Sequence, residues 1–381
     1  MKLGYQNFKN WTTNKNSRGF MTLVIVCFFV LTFIFSAFAD PYNNWSVFKP
    51  IQTSTGLTDT INNATIRTIF STFVLIILCF VFILGFKEIG NIIFNDNKKA
   101  IVTLILSNLV FYLIINITYI SIGQFHLIKP DYELIANNVS EKFNKTANAS
   151  IFAIVFLVAI IMVVFNIILN FILLKITKKI NKKDILSLLG LWFFFNMGLY
   201  AIAFTLFSKG WTTFLYLSCL VVMTDSFAYI IGKRHGKLKM IPHLSPNKTW
   251  SGAIFGSLST LVCMLGITLL YSIPIIQGLV NNSQTSTDQH NLIKNIFQVT
   301  FYTQDINMVI FWWFFATLAI FVFSIIAILG DLYFSYIKRL YQVKDYSNVL
   351  RGHGGILDRF DGFSFVFGGF LIYQFAISFA N

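Results

Sequence analysis

The sequence predicts an all-α polytopic membrane protein with about nine transmembrane helices, a cytoplasmic N-terminus and a C-terminus outside. Three observations predict it. Of the 381 residues 56% are hydrophobic, 44 are Phe, and only 12% are charged, too few to cover a soluble surface of that size. The apolar residues fall into nine segments, each near the roughly 20 residues that a helix needs to cross the hydrocarbon. The basic residues gather in alternate loops between those segments, as the positive-inside pattern requires.

The segments lie at about 20–39, 69–86, 100–123, 151–174, 185–207, 211–231, 252–273, 308–330 and 362–380. Helices and closed barrels alone satisfy every backbone polar group in lipid, and runs this long and continuous indicate helices. The tail before the first segment carries Lys2, Lys9, Lys15 and Arg18 and is placed inside. The next inner loops hold Lys98 and Lys99, then Lys178, Lys179, Lys182 and Lys183. Lys233, Arg234, Lys237 and Lys239 follow, and then the 331–361 segment with Lys338 and Arg339. The loops left outside, near 40–68, 124–150 and 274–307, are rich in Asn, Thr and Ser. Nine spans fit every loop, and eight break the alternation. The organisation is thus a cytoplasmic tail over 1–19, five helices over 20–207, and four more over 208–381 that carry the cytoplasm-facing chemistry.

The first segment has a second reading. It ends Ala37-Phe38-Ala39, a small-residue pattern that also suits signal-peptide cleavage, and residue 40 is outside either way. The four cysteines lie inside apolar runs and form no CxxC pair, which argues against extracellular disulfides and a zinc site. The net charge of +14 sits at the ends of apolar runs, so its expected partner is an anionic membrane surface and not nucleic acid.

Chemistry concentrates in the inner loops of the last four spans. Asp225 lies within the sixth span near its inner end, where a carboxylate costs on the order of 3 kcal/mol unless it meets a polar cavity or a partner. A lysine partner that fixes helix packing is the plainer role. Ser245-Pro246-Asn247-Lys248-Thr249 reads as a turn into the seventh span. It offers hydroxyls, N–H groups and an ammonium to phosphate oxygens, or a simple helix cap. If the eighth helix continues, Asp331 and Ser335 share a face, with Lys338 and Arg339 one to two turns on.

KDYSNVLRGHGGILDRFDG, residues 344–362, holds three aspartates and four glycines between apolar runs. Its Gly352-His353-Gly354-Gly355 turn permits close backbone approach to a ligand. Asp358 and Asp361 then fall at i, i+3 where the ninth span starts. Capping explains one such carboxylate but not a set that includes Asp331 and Asp225. Clustered oxygen ligands beside Lys and Arg are what Mg²⁺ and a nucleoside triphosphate require.

These residues resemble a known signature. Ser335-Tyr336-Ile337-Lys338-Arg339, Lys344-Asp345, His353-Gly354-Gly355, Asp358-Arg359 and Asp361 match that of the phosphatidate cytidylyltransferases, with ungapped spacing over 27 residues. Asp225 with Ala228, Tyr229 and Gly232, and Ser245-Pro246-x-Lys248-Thr249-Trp250, resemble the family's second block. The resemblance covers about 225–362; before it, the chain is similar only in being a run of spanning helices. Three positions depart from the pattern: Arg351 stands where the family usually has Pro, Ser251 where it has Glu, and Gly362 where Ser is common.

The resemblance implies a membrane enzyme that turns CTP and phosphatidic acid into CDP-diacylglycerol and pyrophosphate; the heavy use of Lys, Asn, Ile and Phe points to an AT-rich genome and so to a bacterial cytoplasmic membrane. It implies Mg²⁺ on Asp331 and Asp358, with Asp361 and Asp225 as near partners, a K⁺ companion ion and a homodimer. Lys338 and Arg339 join these carboxylates as catalytic residues. Substrate binding falls to Ser245, Pro246, Lys248, Thr249, Ser335, Lys344, His353, Gly354, Gly355 and Arg359. His353 is expected to contact phosphate or serve structure before it acts as a base, since a phosphate monoester is already ionised near neutral pH. Three alternatives stand beside this reading: CTP-dependent transfer to another lipid such as a polyprenol, an ion-coupled transporter, and an inactive relative.

Overall fold

The computed structural model describes residues 30–32, 34, 35, 56–94, 97–127, 164, 165, 167–172, 175, 176, 182–272, 306–347, 349 and 354–380. Seven long helices account for most of them: α1 (Gly56–Phe94), α2 (Lys98–Leu127), α3 (Lys182–Phe204), α4 (Trp211–His235), α5 (Trp250–Ser272), α6 (Ile306–Leu340) and α7 (Leu357–Ala380). None of the chain's six prolines falls inside a described helix, so no backbone donor is lost and the helices run unbroken. The chain does break between α3 and α4. There a π turn (Thr205–Lys209) precedes Gly210, whose φ of 85° a side chain would disfavour.

Among the described residues five helical stretches are long and apolar enough to cross a membrane: Ile69–Phe94, Asp184–Phe207, Trp211–His235, Trp250–Leu270 and Trp313–Leu340. α2 and α7 cover the expected third and ninth spans. The protein is therefore an all-α, multi-pass membrane protein. The expected first and fourth spans, and the outer segments 128–150 and 274–305, lie outside the described residues apart from the helical residues 30–32, 34, 35, 164, 165, 167–172, 175 and 176. Two helices overrun their expected limits: α1 begins at Gly56 and ends at Phe94, and α6 continues to Leu340. A helix stops where its hydrogen bonding stops, not where the hydrocarbon does, and both extensions carry charge away from the apolar run.

α1 and α2 form an antiparallel pair, and α1 leans on α3. α3 packs on α7, α7 on α6, and α6 against both α4 and α5, which are the most intimate pair. Aromatic rings fill the interior. Phe82 and Tyr112 centroids lie 4.6 Å apart, and Phe194 stacks on Phe365 at 4.1 Å. Phe73, Ile76 and Phe80 of α1 point outward, as expected where lipid is the solvent.

The ends of these helices gather on one side. The α1 end meets the start of α7 through Glu88 and Leu357 (2.9 Å), and Asp184 at the start of α3 accepts from Tyr341 just beyond α6 (2.8 Å). Every end in these contacts is one that the lysine alternation assigns to the same side. A small antiparallel hairpin, β1 (Lys239–Ile241) and β2 (Ser245–Thr249), caps that side between α4 and α5. Residues 245–249 are thus a strand and not the expected turn. Ribbon pairing of Lys239 with Thr249 and Ile241 with Ser245 supplies the backbone bonds, and Pro246 is tolerated on so short an edge.

Candidate active site

A cleft of about 420 Å³ opens at this end, lined from α4, β2, α5, α6 and α7. α4 contributes Asp225, Ala228 and Tyr229; β2 contributes Ser245, Asn247, Lys248 and Thr249. Asp331 and Lys338 come from α6, Asp345 from the following loop, and Asp358, Arg359 and Asp361 from the first turns of α7.

Local chemistry explains the placements. Thr249 is buried at the junction of β2 and α5, and its Oγ1 accepts the Gly252 N–H (3.1 Å), which caps α5. That bond turns the strand into the helix and leaves Lys248 pointing across the cleft. Lys248 Nζ meets Asp331 Oδ2 at 2.6 Å and reaches the Ile328 carbonyl at 3.4 Å. Ser335 donates to Asp331 Oδ1 (3.3 Å), so the shared face expected of Asp331 and Ser335 is present. Gly330 lets α7 approach beside Asp331: a Cβ there would stand 2.8 Å from the Asp361 carbonyl oxygen.

A second pair lies deeper. Lys338 Nζ donates to Asp358 Oδ1 (2.8 Å) and sits 5.6 Å from the centre of the Tyr346 ring. Asp358 Oδ2 accepts the N–H groups of Tyr346 (3.0 Å) and Gly355 (2.8 Å). Gly354, at a φ of 84°, turns the chain tightly enough for this, since a Cβ there would lie 2.8 Å from Asp358 Oδ2. Burial first, and then the Asp358 carboxylate, hold the Tyr346 phenol well above its usual range. It stays protonated and donates to the Phe334 carbonyl (2.8 Å). The two ion pairs differ in wetness: side-chain exposure is 22% and 31% for Lys248 and Asp331, but 12% and 8% for Lys338 and Asp358. A ligand reaches the first pair more readily.

Not every expected residue enters the cleft. Arg339 turns away and donates to the carbonyls of Leu244 and Val343 (both 3.3 Å), tying the hairpin to the end of α6. Lys344 and Pro246 are exposed, Ser335 is buried behind Asp331, and none of the three lines the cleft. Gly354 and Gly355 act on Asp358 from behind. His353 and Arg351 lie outside the described residues.

One residue near the site has no counterpart in the sequence reading. Glu88, on the overrun of α1, is 1% exposed and accepts three hydrogen bonds from the loop and from the start of α7. The signal available was slight: the chain has three glutamates, and Glu88 alone sits at the end of an apolar run.

Five aspartates line the cleft against Lys248, Lys338 and Arg359. Asp225, Asp331 and Asp361 lie close enough to repel one another. Among the described residues no group of three or more His, Cys, Asp or Glu is arranged to hold a metal, and lysines hold two of the carboxylates instead. The cleft can therefore exchange ion pairs: an entering cation takes the carboxylates, and an entering anion takes the lysines.

The model of the cytidylyltransferase family matches residues 64–377. A Mycoplasma pneumoniae protein provisionally named a phosphatidate cytidylyltransferase is 45% identical over 175 residues, 44% of this chain and 44% of its own length. The Bacillus subtilis phosphatidate cytidylyltransferase is 36% identical over 155 residues, 40% of this chain and 44% of its own. That of Staphylococcus aureus is 36% identical over 159 residues, 42% and 47%. The chain spans about half the length of the curated relatives it matches.

Proposed function

This chain belongs to the cytidylyltransferase family, and from that premise we propose that it transfers the cytidylyl group of CTP to phosphatidic acid. The products are CDP-diacylglycerol and pyrophosphate. The observation that carries the reading is the cleft itself, where two lysines held by aspartates line a cavity at the end of a membrane-spanning bundle. A lipid phosphate anchored by its acyl chains meets a water-borne nucleotide only at such a boundary. We place the cleft on the cytoplasmic face of the cell membrane, where the lysine alternation puts it.

The phosphate oxygen of phosphatidic acid attacks the α-phosphorus of CTP, the bond to the β-phosphate oxygen breaks, and pyrophosphate leaves. The attacking monoester is already ionised, so no side chain need remove a proton. What remains is positioning and charge neutralisation. Lys248, in the wetter pair, takes a phosphate once Asp331 is otherwise engaged. Lys338 and Arg359 supply further positive charge, and Ser245 and Thr249 border the cleft with hydroxyls.

The donor set fits Mg²⁺. A lining with more carboxylates than cationic side chains disfavours a triphosphate unless cations enter with it, and hard carboxylate oxygens are the ligands that Mg²⁺ prefers. Asp331 would be the first ligand, with Asp361 and Asp225 beside it. Asp358 would join only by giving up Lys338, because its two oxygens already accept three hydrogen bonds. Held there, Mg²⁺ would supply the charge neutralisation that the departing pyrophosphate needs.

A turnover assay with labelled CTP and a panel of lipids in detergent tests the reading. Phosphatidic acid should consume CTP and release pyrophosphate, while undecaprenol and other free alcohols should not. Release of CDP with a free alcohol, and no pyrophosphate with phosphatidic acid, points to a lipid kinase and ends the proposal.

A further inference from the structure

We propose that Glu88 is a positioning residue: from α1 it clasps the loop between Tyr346 and Leu357 and so fixes Asp358 and Lys338 in the cleft. The inference rests on reading that cleft as the reaction site. Glu88 does not line the cleft and touches no group that would meet substrate. It acts through the loop behind it.

The geometry is that of a double clasp. Glu88 Oε1 accepts from the Ser347 hydroxyl (2.6 Å) and the Ile356 N–H (2.8 Å), and Oε2 accepts the Leu357 N–H (2.9 Å). Asp358 Oδ2 accepts the N–H groups of Tyr346 and Gly355. The donors alternate: 346 and 355 go to Asp358, while 347, 356 and 357 go to Glu88. The two ends of the loop are thereby drawn together by two carboxylates, one from its own helix and one from a helix more than 250 residues earlier. Ile356 and Leu357 are also at the start of α7, where the first N–H groups have no partner within the helix. Glu88 supplies those partners from another element.

Gly355 is shaped by the same contact. A Cβ there would stand 2.5 Å from Glu88 Oε2 and 2.7 Å from Oε1, so only glycine lets the carboxylate reach the backbone. The glycine that reads in the sequence as room for a ligand makes room for a side chain of the protein.

A plain packing role accounts poorly for this arrangement. A buried carboxylate is unfavourable unless its acceptor positions are filled, and a second carboxylate, Asp358, lies near it. Glu88 is tolerated there because three donors converge on it, and all three belong to the segment that delivers Asp358.

Glu88→Gln keeps the shape but turns one oxygen into an N–H donor that faces another N–H. Hydrogen bonds to a charged group are strong enough that their loss should speed amide exchange at Ile356 and Leu357 by about 10- to 100-fold. The rest of α7 should keep its protection. Misplacing the groups on the loop by about 1 Å should lower kcat by about 10- to 100-fold, with the KM for CTP changed less than about threefold. Unchanged exchange at 356 and 357 overturns the proposal, as does a kcat loss that only tracks the loss of folded protein in a melting curve. If Glu88→Gln does not fold, Ser347→Ala removes one arm of the clasp and leaves the buried charge satisfied by the other two. It should speed exchange at 346–349 and lower kcat severalfold, and no change in either overturns the proposal. The exchange readout needs no substrate. Should the wild type make no CDP-diacylglycerol, the functional reading falls while exchange still decides whether Glu88 holds the loop.

Discussion

Asp331 and Asp358 each face a lysine, yet their remaining partners set them apart. Asp331 shares its second oxygen with the Ser335 hydroxyl in the wetter part of the cleft, whereas Asp358 also holds two backbone N–H groups of the loop. Asp331→Asn should therefore cost turnover without much effect on the fold. We expect a loss of roughly 100-fold, about 2.7 kcal/mol of transition-state stabilisation. Asp358→Asn should lose as much and should also melt earlier, since Tyr346 and Gly355 lose a charged acceptor worth about 1.5–3 kcal/mol. Turnover against Mg²⁺ concentration and melting in detergent measure both, and normal turnover of Asp331→Asn at low Mg²⁺ would sink the metal assignment. At this scale the cluster was legible because lipid makes every intramembrane charge conspicuous. Glu88 was not, because beside Lys87 it resembles the ordinary charged end of an apolar run.

Helices were legible over their apolar cores and less so at their ends. Hydropathy marks where the hydrocarbon lies, so it missed the overruns of α1 and α6; the α6 overrun lines the cleft and that of α1 holds the loop behind it. The hairpin escaped because an exposed two-residue register leaves no alternation of apolar and polar residues to read. The break between α3 and α4 makes a measurable prediction. Burial lowers the Lys209 ammonium from 10.5 to about 8. Below pH 8 it is charged whether folded or unfolded, and the full cost of burying that charge is present. As pH rises from about 8 toward 10.5 the folded protein releases a proton that the unfolded chain keeps, so stability rises. Lys209→Met should melt higher than wild type at pH 7, and the gap should narrow from pH 8 upward. A gap that does not vary with pH contradicts the assignment.

For the whole molecule, sidedness is the decisive question. The ends of α1, α4 and α6 and the starts of α3, α5 and α7 gather on the side that holds the cleft, as an alternation of lysine-rich loops requires. Membrane-impermeant thiol reagents added to intact cells should label a cysteine placed at residue 288 but not one at 239. Labelling at 239 alone would put the cleft outside, away from CTP, and remove the functional reading with it.

Lipid is a demanding solvent, and that is why so much could be read directly. It forces runs of about 20 apolar residues, confines charge to the ends, and leaves the chemistry-bearing residues standing out in 225–249 and 331–361. Helical class and the stretches where the chemistry-bearing residues gather follow from the chain alone. Which aspartate meets which lysine does not. Lys248 reaches Asp331, Lys338 reaches Asp358, and Glu88 reaches Leu357 only because α1, α3, α6 and α7 pack in one order around a shared end. Those bonds join residues far apart in the chain, and their partners are chosen by helix packing, which no local run of residues encodes.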